Sequence, residues 1–138
     1  MTQRMGAEAG QDLVEYALVL PLFLLLSLSI FEFGILFFQY NTVANATREA
    51  ARAGTVAATA TCDDACVTNQ VMTAARGLTA GLNPSDLTVT VTYPTIGGQR
   101  MVMVDLQYRT GYLTRMLIEA TGQSEAVILR STSTMSRE

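Results

Sequence analysis

The sequence predicts an α+β protein in which a long N-terminal helix packs on a small antiparallel sheet of about three strands. Three patterns lead to this prediction. An apolar run fills residues 13–38, small apolar residues then recur at helical spacing over 41–57, and residues 87–93 and 100–109 alternate apolar and polar side chains. The chain has 138 residues, which suits one small domain in addition to the apolar run.

The apolar run reads LVEYALVLPLFLLLSLSIFEFGILFF, and its part from Tyr16 to Phe31 carries no charge. About 20 apolar residues in a helix cross a bilayer core, so we expect a membrane-spanning helix over residues 11–40. Pro21 removes a backbone donor and crowds the carbonyl of Ala17, which predicts a helix kink at this point.

Two other interpretations of the run are weaker. A core helix of a soluble protein would need cover on all sides, and the remaining ~100 residues could hardly supply it. A cleaved secretory signal would have a short apolar region after a basic flank. Here the flank is acidic, and the apolar run resumes after Glu32.

The helix is predicted to continue past the membrane as an amphipathic segment, Asn41–Ala57. One stripe is apolar and mostly Ala, and polar side chains such as Asn45 and Arg48 occupy the other side. Small side chains let another element approach closely. The lower half of one long helix would therefore lie in lipid, and its upper half would pack on a domain. The stripe consists of Val43, Ala46, Ala50, Ala53 and Ala57.

The rest of the chain predicts a second helix and an antiparallel sheet. The second helix covers about 65–80, capped by Asp63 or Asp64, with Val67, Val71, Ala74, Ala75 and Leu78 inward. Strands follow at 87–93 and 100–109, joined by the turn 94–99. A short helical turn is predicted for residues 112–120. A last strand at about 125–135 places Val127 and Leu129 inward.

Composition excludes several classes of function. Nine basic and twelve acidic residues give a net charge of −3, which disfavours nucleic-acid binding. The chain has no His, so the usual Ser-His and Cys-His nucleophile pairs and the commonest metal ligand are missing. Two Cys cannot supply a four-ligand structural zinc site. We therefore expect no catalytic residues, no metal, no cofactor and no small-molecule substrate.

The two cysteines, Cys62 and Cys66, are separated by three residues. In an exported domain a disulfide is the default for such a pair. Side chains four apart in a helix are too far apart for the bond, so a Cys62–Cys66 disulfide requires non-helical backbone at that point. A redox-active pair is the alternative, but no cationic neighbour supports it.

The residues at the start of the apolar run resemble a known processing site. Four residues separate Gly10 from Glu15-Tyr16, and this spacing resembles the prepilin-peptidase site of Flp-type pilins. Together with FEFG (31–34), NATREAARAG (45–54) and the final STSTMSRE (131–138), the sequence resembles the TadE-like pseudopilins of Tad (tight adherence) pilus systems.

The resemblance implies a pilin-like fold and a role as a minor pseudopilin in pilus assembly or anchoring. A prepilin peptidase would cut between Gly10 and Gln11, so that residues 1–10 form a cytoplasmic leader and residues 41–138 an extracytoplasmic domain. The implied partners are this peptidase, other pilins or pseudopilins, the inner-membrane assembly platform and the lipid bilayer. The implied location is the bacterial inner membrane, crossed once, with the C-terminal domain periplasmic. Entry into an extracellular filament is left open.

Two acidic residues mark the ends of the span. Glu15 lies at the inner lipid boundary, where an unpaired charge costs on the order of 2–4 kcal/mol. Cleavage would create an amine on Gln11, and the amine of a neighbouring subunit could neutralise Glu15. The other interpretation is that Glu15 sits among headgroups. Glu32 follows 17 residues later, about one bilayer thickness along a helix, and is expected at the outer interface.

An alternative remains for the orientation of the chain in the membrane and another for its function. Arg4 precedes the span while Arg48 and Arg52 follow it, so a count of positive charges favours a cytoplasmic C-terminus. The cysteine pair and the resemblance favour an exported one, and we adopt that prediction. The alternative function is an unprocessed, single-pass membrane-anchored binding or adhesion domain.

Overall fold

The structure is a computed structural model that describes residues 5–58, 62–111 and 127–136. The chain forms two compact units, Met1–Ile35 and Leu36–Glu138. Among the described residues, the first unit is helical. The second combines the end of this long helix, a second α-helix and the 3-10 helix Pro84–Asp86 with a four-stranded antiparallel sheet. The predicted α+β class, with a long N-terminal helix and a small antiparallel sheet, is therefore confirmed.

Helix α1 runs from Met5 to Ala57 and contributes to both units. Its apolar part carries Leu, Phe and Ile on every side, so it has no single buried stripe in the first unit. From Val43 onward, one side of the helix is buried. The buried positions are Val43, Ala46, Thr47, Ala50, Ala51 and Gly54. The predicted stripe is correct for its first three members, whereas Ala53 and Ala57 are only half-buried.

Helix α2 covers Asp64–Gly77, slightly shorter than predicted. Asp63 is its N-cap, and the carboxylate accepts a hydrogen bond from the Cys66 amide at 2.9 Å. Such a cap satisfies one of the amides that a helix start leaves without a partner. Val67, Val71 and Ala75 face inward as predicted. Leu78, just after the helix, is 48% exposed, so its predicted inward position is wrong.

The sheet contains β1 (Leu87–Thr92), β2 (Thr95–Ile96), β3 (Gln99–Thr110) and β4 (Val127–Ser136). Strands β1 and β2 pair with the same edge of β3, and β4 pairs with the other edge over ten residue pairs. The predicted turn 94–99 holds the two-residue β2 because the hairpin ladder continues to Gly97–Gly98. The helical turn predicted for 112–120 lies outside the described residues.

One face of the sheet packs against the helices. Val102, Val104, Leu106 and Tyr108 alternate along β3 and are buried, as predicted from the period of two. Leu129 on β4 joins them, but Val127 is 42% exposed, so its predicted inward position is wrong. It pairs with Thr110 at the last rung of the ladder.

Within the second unit, α1 and β3 run in opposite directions. The Thr110 hydroxyl, at the end of β3, donates to Gln39 Oε1 at 2.6 Å. Gly54, later in α1, lies beside Val102 near the start of β3. The second unit therefore has two ends. The entry end contains residues 36–40, 78–82, 108–111 and 127–129, and the hairpin end contains residues 54–58, 62–67 and 91–102.

Candidate functional site

The apolar part of α1 exposes nearly all of its side chains. An 18-residue window within Gly10–Ala57 has a mean hydropathy of 2.3, and none of it is buried within the protein. Leu18, Phe23 and Phe33 are each more than 60% exposed. By length and composition this helix could cross a membrane, which supplies the apolar surroundings that the protein does not.

Polar side chains in and after the apolar segment bond to the helix itself. The Ser29 hydroxyl donates to the Leu25 carbonyl at 2.8 Å, and the Thr42 hydroxyl donates to the Phe38 carbonyl at 2.9 Å. The Asn41 amide donates to the Phe37 carbonyl at 2.8 Å. Such bonds to the carbonyl four residues earlier let a polar side chain remain satisfied without water.

The residues of the predicted processing site lie on exposed helix. Gly10 and Gln11 are helical and exposed, and nothing lies within 4 Å of where a Cβ on Gly10 would be. Asp12, Glu15, Tyr16 and Val19 follow at steps of three and four, which places them on one face beside a shallow cavity of about 330 Å³. Among the described residues, no hydrogen bond or ion pair involves the Glu15 side chain.

Pro21 and Glu32 both lie within α1, and the kink predicted at Pro21 and the interfacial position predicted for Glu32 stay predictions. The helix continues across Pro21 without ending. Glu32 is half-buried and lies 17 residues after Glu15, a rise of about 25 Å along a helix. This separation approaches the thickness of a bilayer core, so the two carboxylates could lie near its opposite boundaries.

The two cysteines form a disulfide at the hairpin end of the second unit. The Cα atoms of Cys62 and Cys66 are 5.4 Å apart, and the helix begins only at Asp64. Cys62 thus lies on non-helical backbone, as a disulfide between cysteines four positions apart requires. The bond joins the segment before α2 to its first turn.

Next to the disulfide, side chains join α2 to the hairpin. The Tyr93 hydroxyl donates to the Asp64 carbonyl at 2.9 Å and lies 2.8 Å from the Thr68 hydroxyl. Arg100 forms an ion pair with the Asp64 carboxylate and lies over the Tyr93 ring, 5.7 Å from its centre. These contacts fix the start of α2 against the sheet and offer no open site.

The outer face of the sheet carries an ion pair that sequence reasoning missed. Asp105 on β3 is buried, and its Oδ2 accepts hydrogen bonds from the Arg130 guanidinium and from the Thr132 hydroxyl. Gln107 donates to Oδ1 at 3.3 Å. Burial raises the pKa of Asp105, but the hydrogen bonds and the positive charge of Arg130 outweigh it, so that the pKa is lowered overall. The same pair raises the pKa of Arg130.

Neither a metal centre nor an enclosed catalytic cleft emerges from the described part of the chain. Searching those residues finds no group of three or more Cys, Asp or Glu side chains placed to hold a metal ion. An open polar cavity of about 270 Å³ lies near the entry end, and it is lined by Ser85, Asp86, Thr88, Gln107, Arg109 and Ile128. Among the described residues, the candidate functional site is therefore the exposed apolar helix and not a pocket.

Comparison with known proteins identifies the class of this helical segment. Residues 10–52 match the family model described as TadE-like protein, which confirms the resemblance. The match begins at Gly10 and ends within the buried stripe of α1, so it includes the apolar helix but not the sheet. Searches of curated proteins and of solved structures return no match.

Proposed function

We propose that the protein is a minor pilin-like subunit, a pseudopilin, that takes part in assembling or anchoring a Tad (Flp-type) pilus. The observation that carries this proposal is the TadE-like match over residues 10–52. It coincides with the exposed apolar helix, and it starts at the glycine of the proposed cleavage site. Partners of this subunit would be other pilins or pseudopilins and the inner-membrane assembly platform.

The proposal places the chain once through the bacterial inner membrane. Residues 1–10 would be a cytoplasmic leader, residues 11–40 the membrane helix and residues 41–138 the periplasmic domain. The disulfide between Cys62 and Cys66 supports this orientation, because disulfides persist in oxidising compartments. We give the disulfide more weight than the count of positive charges. That count, with Arg4 before the span and Arg48 and Arg52 after it, favours a cytoplasmic C-terminus.

Processing is tested by the mass of the mature N-terminus. The protein is extracted from membranes of cells that contain the pilus system and its prepilin peptidase. A chain that begins at Gln11 is the expected result. A Gly10→Leu variant, which should block the peptidase while leaving the span unchanged, is expected to keep its leader. A wild-type chain recovered with residues 1–10 attached would contradict processing.

One observation favours the alternative, an unprocessed membrane-anchored binding or adhesion domain. Helix α1 continues through Gly10 and Gln11 from its start at Met5. A peptidase binds extended backbone, so it would first have to unwind this part of the helix. An intact leader together with normal membrane insertion would support the alternative.

The proposed role of Glu15 is to pair with the new amine of a neighbouring subunit. The side chain is exposed at the start of the apolar segment, and no described residue forms an ion pair with it. We expect Glu15→Gln to reduce co-assembly with other pilus components, because the amide cannot neutralise an ammonium group. Co-purification of pilus components measures this. Glu49→Gln, at an exposed position later in α1, is the control, and wild-type incorporation of Glu15→Gln would exclude charge pairing.

A further inference from the structure

The exposed apolar side chains of the second unit are concentrated at one end. Among the described residues of this unit, eight large apolar side chains are exposed, and six of them lie at the entry end. The other two are Val56 and Ile96. The six are Phe37, Phe38, Tyr40, Leu78, Val127 and Ile128, and we call them the apolar collar.

Contacts within the unit bring the members of the collar to the same end. Phe38 lies 3.8 Å from where a Cβ on Gly81 would be, which places the segment after α2, with Leu78, beside this turn of α1. Gln39 is bonded to Thr110, and Thr110 pairs with Val127 in the sheet. Three separate parts of the chain therefore contribute exposed apolar side chains to this end of the unit. Val127 and Ile128, as consecutive strand residues, contribute on opposite faces of the sheet.

Leu78 and Val127, whose side chains were predicted to point inward, are both members of the apolar collar. Helical spacing predicts a buried Leu78 and strand alternation predicts a buried Val127, yet they are 48% and 42% exposed. At the hairpin end of the unit, Val67 and Val102 follow the same patterns and are fully buried. Leu78 and Val127 thus follow the patterns of buried residues, yet the described residues of the unit leave both of them exposed.

We propose that the apolar collar lies in the headgroup region of the bilayer, so that the second unit rests on the membrane surface. This inference rests on the proposed membrane span of residues 11–40. Phe37 follows the proposed outer boundary at Glu32 by five residues, a rise of about 7.5 Å in a helix. The headgroup layer is about 5–8 Å thick on each side, so the chain enters the second unit within that layer.

The chemistry of the collar suits this position. Aromatic side chains are favoured at the membrane interface, and apolar side chains there reach the boundary of the acyl chains. Charged side chains of both signs lie nearby. Arg109 and Asp86 line the same cavity as Ile128, and Arg76 lies in the last turn of α2. Because these three side chains carry a net charge of only +1, the contact depends mainly on apolar burial and should be only weakly sensitive to salt.

The experiment uses tryptophan as a depth probe, since the chain contains no Trp. The full chain is reconstituted in nanodiscs whose lipids carry bromine at defined depths, and quenching of Trp fluorescence is measured. Ile128→Trp and Leu78→Trp report on the collar. Ile96→Trp is the matched control, because Ile96 is also exposed but lies at the hairpin end of the same sheet, about 34 Å away along β3. Phe23→Trp reports on the span.

We expect shallow bromine to reduce the fluorescence of the two collar probes at low and high salt, and to leave the Ile96→Trp signal unchanged. If only Phe23→Trp is quenched, the span is embedded and the collar proposal is overturned. If the collar probes are shielded from aqueous iodide but not quenched by lipid, another protein copy covers the collar and the proposal fails. If Phe23→Trp is not quenched, the proposed anchoring fails and the inference fails with it.

Discussion

At Gly54, α1 packs closely against its neighbours in the second unit. A Cβ at this position would lie 2.8 Å from Val71 and 3.0 Å from Val102, so one atom would touch both α2 and the sheet. Both contacts are with branched side chains in a packed core, which cannot move away freely. The small side chains of the stripe were predicted to permit close approach, but the sequence alone does not show that Gly54 contacts both α2 and the sheet.

We therefore expect Gly54→Ala to lower the free energy of unfolding of the second unit. Overpacking costs about 1–3 kcal/mol, which exceeds the gain of up to about 1 kcal/mol from the better helix propensity of Ala. Chemical denaturation in mild detergent, followed by circular dichroism of the sheet, measures the change. Gly77→Ala in α2 is the control, because nothing lies within 4 Å of its Cβ position. Equal stability of the two variants would contradict the packing argument.

Asp105 gives the second unit a pH-dependent contribution to stability. Its pKa in the folded protein lies below the ordinary value of 3.8, because the bonds and charge of Arg130 outweigh burial. A carboxylate with a lowered pKa stabilises the fold above its unfolded pKa, and this contribution is lost as the pH falls through the folded pKa. The relevant window is therefore at and below pH 3.8.

We expect Asp105→Asn to be less stable than the wild type at neutral pH and to lose less stability on acidification. The reason is that Asn keeps some hydrogen bonds but has no charge for Arg130 and no proton to gain. Unfolding midpoints in denaturant, measured from neutral pH to below 3.8, test this. Asp86→Asn, on the same side of the unit, is the control. Parallel pH profiles for Asp105→Asn and the wild type would contradict the assignment.

At the scale of elements, the start of α2 depends on two local devices. Asp63 caps the helix, and the disulfide joins Cys66 in the first turn to Cys62 outside the helix. The sequence predicted both features, because an acid before an apolar pattern and a closely spaced Cys pair are local signals. The contacts of Tyr93 and Arg100 with this turn were not predictable, since residues 25 to 36 positions apart meet only after the fold has formed.

We expect the double variant Cys62→Ser/Cys66→Ser to lose about 2 kcal/mol of stability at most, because the closed ring is short and restricts the unfolded chain only a little. Denaturation of the oxidised protein, of the reduced protein and of the double variant measures this. Reduction should have the same effect as the substitutions and no effect on the double variant. A loss of the whole fold on reduction would show that the disulfide has a larger role than its loop length allows.

The sheet illustrates what sequence patterns can determine. The alternation in β1, β3 and β4 predicted the strands and the buried face of β3, since the period of a strand is a local property. It did not predict that Val127 is exposed or that Asp105 is buried. The first depends on where the helices end over the sheet. The second depends on Arg130 and Thr132, which only the register between β3 and β4 brings to Asp105.

At the scale of the whole molecule, one helix serves two environments. The first unit exposes apolar side chains all around, whereas the second buries an Ala-rich stripe against its own sheet. Both parts were predictable because an apolar run and an amphipathic pattern adjoin in the sequence. The apolar collar was not, because its members come from three separate segments and their exposure depends on the complete fold.

We expect Leu24→Arg, in the middle of the apolar helix, to reduce membrane integration. A charged side chain at the centre of a span costs about 2.5–3.5 kcal/mol on insertion scales. The fraction of protein that resists alkaline extraction from membranes measures this. Val56→Arg is the control in the same helix, because Val56 is 73% exposed in the second unit. Equal extraction of both variants would contradict a membrane role for residues 11–40.

The tight reversal at Gly97–Gly98 has a practical consequence. Both glycines adopt positive φ angles, and a side chain at either position would meet no neighbouring atoms. This loop tip therefore offers an insertion point for an epitope tag or a fluorophore, at the end of the sheet opposite to the proposed lipid contact. A label placed there could follow the protein in living cells without disturbing the packed core of the second unit.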